Sequence, residues 1–207
     1  MKQLPTISPS HIGAARLFLG AFMPLSTEQM EDLLQYCEWR RFNKHQNILN
    51  EGETENYLNI VVSGLVRKYI QVKNSEQTLQ LATEGHIIQS EISYLTQSPS
   101  TVVLQTLEPT ILLSMSFAQM QKALEHFTNG ERLGRLILTH MYIKKDERRF
   151  MRASKTVREL FQNYVQKNPH MLQRIPQKYL ASYLNIKPET FSRLKKLQME
   201  KSKLGNH

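Results

Sequence analysis

Along the chain the apolar positions change period three times, and each change predicts a different kind of element. Ser26 and Gln29 stand at capping-box spacing, and Met30, Leu33, Leu34 and Cys37 follow at helical intervals, which predicts a short helix ending near Trp39. From Trp39 to about Met115 the pattern breaks into brief apolar or β-branched runs at 47–49, 57–62, 65–72, 78–81, 101–107 and 111–115. Gly52, Ser63 with Gly64, the Lys73, Asn74, Ser75 cluster, Glu84 with Gly85, and Glu108 with Pro109 punctuate these runs as turns. Short strands at that density predict an antiparallel roll, barrel or sandwich. The helical period returns at Ser116 and continues to about Arg152, with one break at Asn129 and Gly130. It resumes over 156–167, stops at Asn168 and Pro169, and starts again after Pro176, so the last part of the chain reads as a small helical domain.

Within the long helix, Leu133, Leu136, His140, Ile143, Glu147 and Phe150 alternate by three and four, a heptad-like stripe that is apolar at four of its six positions. Spacing alone leaves two readings open: a dimerisation helix, or a helix lying on its own β domain.

Charge changes the picture once it is located. Residues 1–143 carry 11 Lys and Arg against 13 Asp and Glu, a balance of −2, whereas residues 144–207 carry 16 against 5, a balance of +11. A short basic domain behind a near-neutral one points to a polyanion, because Lys and Arg that neutralise phosphates release condensed counterions. The 207-residue length leaves room for a full domain plus a small one, and the lone Cys37 excludes an internal disulfide, a four-cysteine zinc site and a protein-ligated four-cysteine cluster. The most apolar stretch, 17–25, is far shorter than the roughly 20 residues a membrane helix needs, and no small-residue cleavage site follows it. A cytoplasmic protein with no membrane partner is the expectation.

The most specific segment is QKYLASYLNIKPETFSRLKK at 177–196. Set as two helices around a tight turn, it turns Leu180, Ala181, Leu184, Ile186, Phe191 and Leu194 inward, with small Ala181 where the helices approach. Asn185 falls where the turn needs positive φ, and Pro188 opens the second helix at a position where its missing N–H is harmless. The outward set Glu189, Thr190, Ser192, Arg193 and Lys196 suits a DNA major groove. Arg193 can grip guanine bidentately, Glu189 can accept from cytosine, Thr190 and Ser192 can reach phosphate or base, and Lys196 suits a backbone phosphate. Gln177 and Lys178, opening the first helix, join this set as DNA-contact candidates.

This segment resembles the winged-helix DNA reader of the Crp/Fnr superfamily of bacterial transcription regulators. NILNEGETENYLNIVVSGLVRKY at 47–69 resembles the turn-strand-Gly-strand part of that superfamily's cyclic-nucleotide-binding β-roll, and the long helix resembles its dimer helix. The resemblance implies an α+β chain with an effector domain over 1–130, a dimerisation helix over 131–152, which selects the dimer reading of the stripe, and a helix-turn-helix domain over 153–207. It implies DNA contacts from Glu189, Thr190 and Arg193. In cyclic-nucleotide-binding members a Gly-Glu pair followed by Arg-Ser/Thr-Ala holds ribose and phosphate; the comparable stretch here is QSEISYLTQSPSTVVLQTLE at 89–108. Glu91 stands at the ribose position, Ser90 replaces the Gly, and Pro99 with Ser100 replaces Arg-Ser, with no arginine between Lys73 and Lys122. A buried cyclic phosphate would lack a bidentate cation, so cAMP and cGMP are not expected as effectors, and Glu91, Ser100 and Thr101 are candidates for some other small ligand.

The seven His lack metal-ligand spacing, so no metal or haem cofactor is expected, and His86 and His140 read as surface or packing residues. GxSxG, HExxH, P-loop and dinucleotide fingerprints are all missing, and no catalytic role is expected. The leading expectation is a homodimeric, sequence-specific transcription regulator whose partners are double-stranded DNA, an unidentified small effector and, for an activator, RNA polymerase. About ten residues follow Leu197, which leaves little room for a two-stranded wing. The alternative is a small-ligand module that acts through protein or non-specific nucleic-acid contacts.

Overall fold

A computed structural model describes residues 6–204, and side chains as far as Gln198. The chain is α+β and divides into two compact units, one running up to Ile70 together with Gln80–Tyr142, the other comprising Gln71–Leu79 together with the chain from Ile143 onward.

The β-roll, which makes up most of the first unit, consists of two four-stranded antiparallel sheets. One has the order β1-β8-β3-β6, from Glu38–Phe42, Thr110–Ser116, Tyr57–Ser63 and Ile87–Ile88. The other has the order β2-β7-β4-β5, from Asn47–Leu49, Val103–Thr106, Val66–Val72 and Ser75–Ala82. Alternate side chains of a strand point to opposite faces, so a strand buried on both reads as a continuous apolar run. Strand β3 does this: Val61 joins Leu112, Val66 and Leu104 in one core, while Ile60 and Val62 join Ile111 and Leu113 in a second. That second core is covered by α1 (Pro9–Gly20) through Ala15 and Leu19, α2 (Thr27–Gln35) through Met30 and Leu33, and α4 (Phe117–His126) through Ala123.

Local chemistry sets the element ends. Ser26 Oγ accepts from the Gln29 N–H at 3.1 Å while Gln29 Oε1 accepts from the Ser26 N–H at 3.0 Å, the reciprocal box that the sequence predicts. Helix α2 stops at Gln35, earlier than expected, because Trp39 belongs to β1, paired opposite Leu113 of β8. Helices α1, α3 (Glu91–Thr96) and α7 (Met171–Arg174) and the two-residue β6 were not anticipated. Thr106 closes the roll at the chain's return: its hydroxyl donates to Asn43 O at 2.6 Å and accepts from the Gln46 N–H at 2.9 Å.

The 25-residue helix α5, Gly130–Ser154, splits the predicted stripe. Leu133 is 4% exposed inside the roll's own core and Leu136 packs partly against it, so these two serve the chain's own packing. The His140 ring meets Phe22 edge-on at 5.3 Å. Ile143 and Phe150 stand exposed, with Leu138 and Tyr142 beside them in sequence, and Glu147 pairs with Lys144 at 3.1 Å.

In the second unit, α6 (Val157–Lys167), α7, α8 (Gln177–Tyr183) and α9 (Pro188–Leu204) close around Phe161 and Phe191, whose rings meet edge-on at 5.3 Å. Residues 71–79 pack in this unit: the Thr78 N–H donates to Ser182 Oγ at 2.8 Å, and Ser182 Oγ donates to Glu76 O at 2.9 Å. Among the described residues no strand follows α9.

Gly64, with φ of 108°, lets the β3–β4 turn press onto the start of β8; a Cβ there would lie 2.5 Å from Thr110 Oγ1 and 2.7 Å from Pro109 O. Gly64→Ala therefore meets both strain and backbone, whereas Gly52→Ala, at φ of 85° with open space around it, meets strain alone. In urea denaturation Gly64→Ala is expected to remove at least about 2 kcal/mol more stability than Gly52→Ala. Equal losses would show that the close approach is not a constraint.

Candidate nucleic-acid interface and effector segment

The basic helices build the candidate interface from their turn outward. Helix α8 ends in a six-residue C-terminal lock: the Ile186 N–H donates to Ala181 O at 3.0 Å, the Asn185 N–H to Ser182 O at 3.0 Å, and Asn185 takes φ of 56°. Asn tolerates that left-handed conformation, so the chain reverses sharply and Pro188 begins α9. Leu180, Ala181, Leu184 and Phe191 are buried beneath the turn, and Ile186 and Leu194 are half-buried.

With those residues inward, the opposite face of α9 is fixed. Glu189, Arg193 and Lys196, spaced by four and three, form one exposed stripe. Ser192 is exposed beside it, 3.4 Å from Gln177 Oε1, which ties the starts of α8 and α9 together; Thr190 is half-buried. Gln177 and Lys178 are exposed, and the Lys178 ammonium lies 4.7 Å over the Tyr179 ring. Arg152 donates to Tyr183 O at 3.2 Å, neutralising a last carbonyl of α8. All seven DNA-contact candidates thus lie on the α8–α9 hairpin.

The effector candidates fall in the roll, on the segment between β6 and β7, with Ser100 and Thr101 beyond α3. Glu91 opens α3, and its carboxylate takes both oxygens to the Lys68 ammonium, at 2.8 and 2.7 Å. Lys68 also donates to Gln89 O at 3.0 Å, and its side chain is 9% exposed against 32% for Glu91. Ser90 is held by its N–H to Glu55 Oε2 at 3.4 Å and by its hydroxyl, 3.0 Å from Ser100 Oγ. Ser100 is buried and also lies 2.9 Å from Val102 O, whereas Thr101 is exposed. Lys68 lies on β4, outside the 89–108 stretch that resembles the ribose and phosphate cassette. Its signal was a lysine at the same alternation phase as Val66 and Ile70 on a buried strand.

These residues do not fit a cyclic phosphate. The Lys68–Glu91 pair is already balanced in charge, no arginine lies between 73 and 122, and Ser100 is engaged by Ser90 and Val102. A phosphate would have to take Lys68 from Glu91 and so remove that carboxylate's ammonium partner. Burial pushes the Glu55 carboxyl up, against the opposing pull of the Tyr57 and Ser90 N–H groups and of Arg40. Burial likewise raises the Cys37 thiol to about 12, so it is no reactive centre. Among the described residues no cluster of three or more His, Cys, Asp or Glu could hold a metal ion, and no helix is long and apolar enough to cross a membrane.

Residues 39–127, from β1 through α4, match the cyclic nucleotide-binding domain family. Most of the chain shares its fold with solved transcription regulators of the Crp/Fnr type. The c-di-GMP responsive global regulator CLP of Xanthomonas campestris superposes with a TM-score of 0.65 at 17% identity, over 84% of this chain and 93% of CLP. The Thermus thermophilus catabolite activator protein gives 0.54 at 21% identity, over 89% and 88%. DNR from Pseudomonas aeruginosa gives 0.52 at 18% identity, over 95% and 90%. No curated protein sequence matches the chain.

Two consequences can be measured. Removing Glu91 strands a buried ammonium, whereas removing Lys68 leaves a carboxylate a third of which already meets water. Glu91→Gln is therefore expected to cost about 2 to 3 kcal/mol, and Lys68→Met about 1 kcal/mol, in urea denaturation; the reverse order would refute the assignment of the burden to Lys68. Glu55 holds its proton more tightly folded than unfolded, so its contribution to stability falls as pH rises from about the unfolded value of 4.5. Unfolding free energy measured stepwise from pH 4 to about pH 7 should thus fall for wild type relative to Glu55→Gln, and a constant difference would refute that burial.

Proposed function

We propose that this protein is a homodimeric, sequence-specific DNA-binding transcription regulator that does not respond to cAMP. The observation that carries the reading is the exposed Glu189, Arg193 and Lys196 stripe on a helix whose other side is locked by the Asn185 turn and the Phe161–Phe191 contact. A rigid helix with an acceptor and two cations on one face can read base edges and phosphate together. The excess of +11 over residues 144–207 favours the polyanion, and the fold shared with CLP and the catabolite activator protein agrees with it.

Exposed Leu138, Tyr142, Ile143 and Phe150 on α5 supply apolar surface for a second copy, now without Leu133, which the roll uses. Two heads on a two-fold axis would read a pseudo-palindrome with half-sites about one helical turn apart. Such a regulator works in the cytoplasm without catalysis, and its roll, closed by Lys68 and Glu91, is either a sensor for a ligand other than a cyclic nucleotide or a scaffold. As an activator it would also meet RNA polymerase.

Fluorescence anisotropy against the protein's own upstream DNA and a scrambled duplex tests this. Arg193→Ala is expected to lose about 1 to 3 kcal/mol on the cognate duplex and little on the scrambled one, and Lys196→Ala to weaken both alike. Adding cAMP should change neither. Equal wild-type binding to both duplexes would favour the non-specific module instead, and a cognate preference that needs cAMP would refute the reading of the pocket.

A further inference from the structure

Helix α5 passes to α6 through Lys155 and Thr156, because α5 ends at Ser154 and α6 starts at Val157. Thr156 is committed to α6: its N–H and its hydroxyl both donate to Glu159 Oε2, at 2.8 and 2.7 Å. A link of this kind caps α6 without fixing the angle between the helices, since each linking residue keeps two soft backbone dihedrals. That angle is open to side chains that reach across.

Arg152, in the last turn of α5, makes such a reach. It donates through Nη2 to the Tyr183 carbonyl at 3.2 Å, 31 positions along the chain, and its guanidinium lies 5.3 Å from the centre of the Tyr183 ring. Its neighbours behave differently: Lys144 pairs with Glu147 at 3.1 Å and Arg149 with Asp146 at 3.0 Å, each within one turn of α5. The positions three and four away from Arg152 are Arg148, Arg149, Lys155 and Thr156, so no acid on its own helix can claim it. Tyr183 is held from a second side, its ring 5.7 Å from that of Tyr164 on α6. It is the last residue of α8, and the lock formed by Ala181, Ser182, Asn185 and Ile186 carries its position into α9. What ties Tyr183 to α5 therefore also ties the Glu189, Arg193 and Lys196 stripe. Phe150, 70% exposed, stands roughly half a turn around α5 from Arg152, so one side of the helix is left for a second copy while the other holds α8.

We propose that Arg152 is a positioning residue that sets the spacing between half-sites: by clasping Tyr183 it fixes the angle at which each α8–α9 hairpin leaves α5, so that a pair of copies accepts DNA of one half-site spacing. The inference rests on the homodimeric DNA-binding reading above and concerns spacing, not base sequence. A duplex whose half-sites are one base pair too close or too far is bound when one hairpin turns and breaks its clasp. An exposed charge-assisted hydrogen bond with a cation–π contact makes that step about fivefold unfavourable.

The test is selection from a randomised duplex library by full-length wild type, Arg152→Ala, Arg152→Lys and Tyr183→Phe, followed by anisotropy on the selected duplex with one base pair inserted or removed at its centre. Wild type should enrich one spacing. Arg152→Ala should enrich the same half-site sequence at several spacings, and its preference for the selected duplex over the altered ones should fall about fivefold, while its affinity for a single half-site changes by less than about twofold. Arg152→Lys still has a donor for the carbonyl and should restore most of the preference, and Tyr183→Phe keeps both carbonyl and ring and should match wild type. An unchanged spacing preference in Arg152→Ala overturns the clasp. A loss on the single half-site as large as that on the paired site overturns it too, because it marks a direct contact or a packing role. A wild type that enriches no sequence overturns the DNA-reading function, and one that enriches an isolated half-site overturns the homodimer; the clasp, which needs both, falls with either.

Discussion

An ammonium group inside a β-roll must be answered by fixed oxygens, and the arrangement of the roll's functional segment follows from that requirement. Lys68 sits on β4, between β7 and β5, with its side chain almost wholly withdrawn from water. Left alone there it would cost several kcal/mol. The carbonyl of Gln89 and the carboxylate of Glu91 must therefore be where they are, and residues 89–91 are drawn onto β4. Once they are, Ser90 is committed to Glu55 and Ser100, and α3 starts with Glu91 in its first turn, where a negative charge is also favoured by the helix dipole. The buried Lys68 thus holds Gln89 and Glu91, and through Ser90 the same segment reaches Glu55 and Ser100.

The same constraint explains what the sequence conceals. Strands β3, β4 and β8 are legible because both their faces are buried and they read as continuous apolar runs, with turns marked by Gly64 and Pro109. Helix α3 is not legible: Glu91 to Thr96 is too short for a period, and Ile92 and Leu95 are exposed while Ser93 and Tyr94 are buried, which inverts the usual pattern. Its place is decided by partners 38 and 23 positions away, Glu55 against Ser93 and Lys68 against Glu91. Periodicity sees neither. The two-residue β6 is defined only by its ladder to Asn59 and Ile60, and Trp39 is recruited into β1 by β8, far along the chain.

The α8–α9 hairpin is the opposite case, because nearly every determinant is local. Positive φ at Asn185, helix entry at Pro188, and burial of Leu180, Ala181 and Phe191 all lie within a dozen residues, so a single window of sequence contains the geometry. The stripe on α5 falls between the two. Its spacing is real, but spacing cannot say which neighbour a helix face meets, and the roll takes Leu133 while Ile143 and Phe150 stay exposed. Apolar periodicity reports burial without naming the partner, and only packing divides the stripe.

The uneven charge of the chain gives the two halves different physics. The Lys68–Glu91 pair is buried on the lysine side and largely indifferent to ionic strength, whereas Arg193 and Lys196 are exposed and fully screened within a Debye length of about 8 Å at physiological salt. Salt therefore acts on the exposed charges of α9 and scarcely on the state of the roll. A ligand that did displace Lys68 from Glu91 would do the reverse, disturbing residues 89–91 at any ionic strength while leaving the exposed charge of α9 untouched.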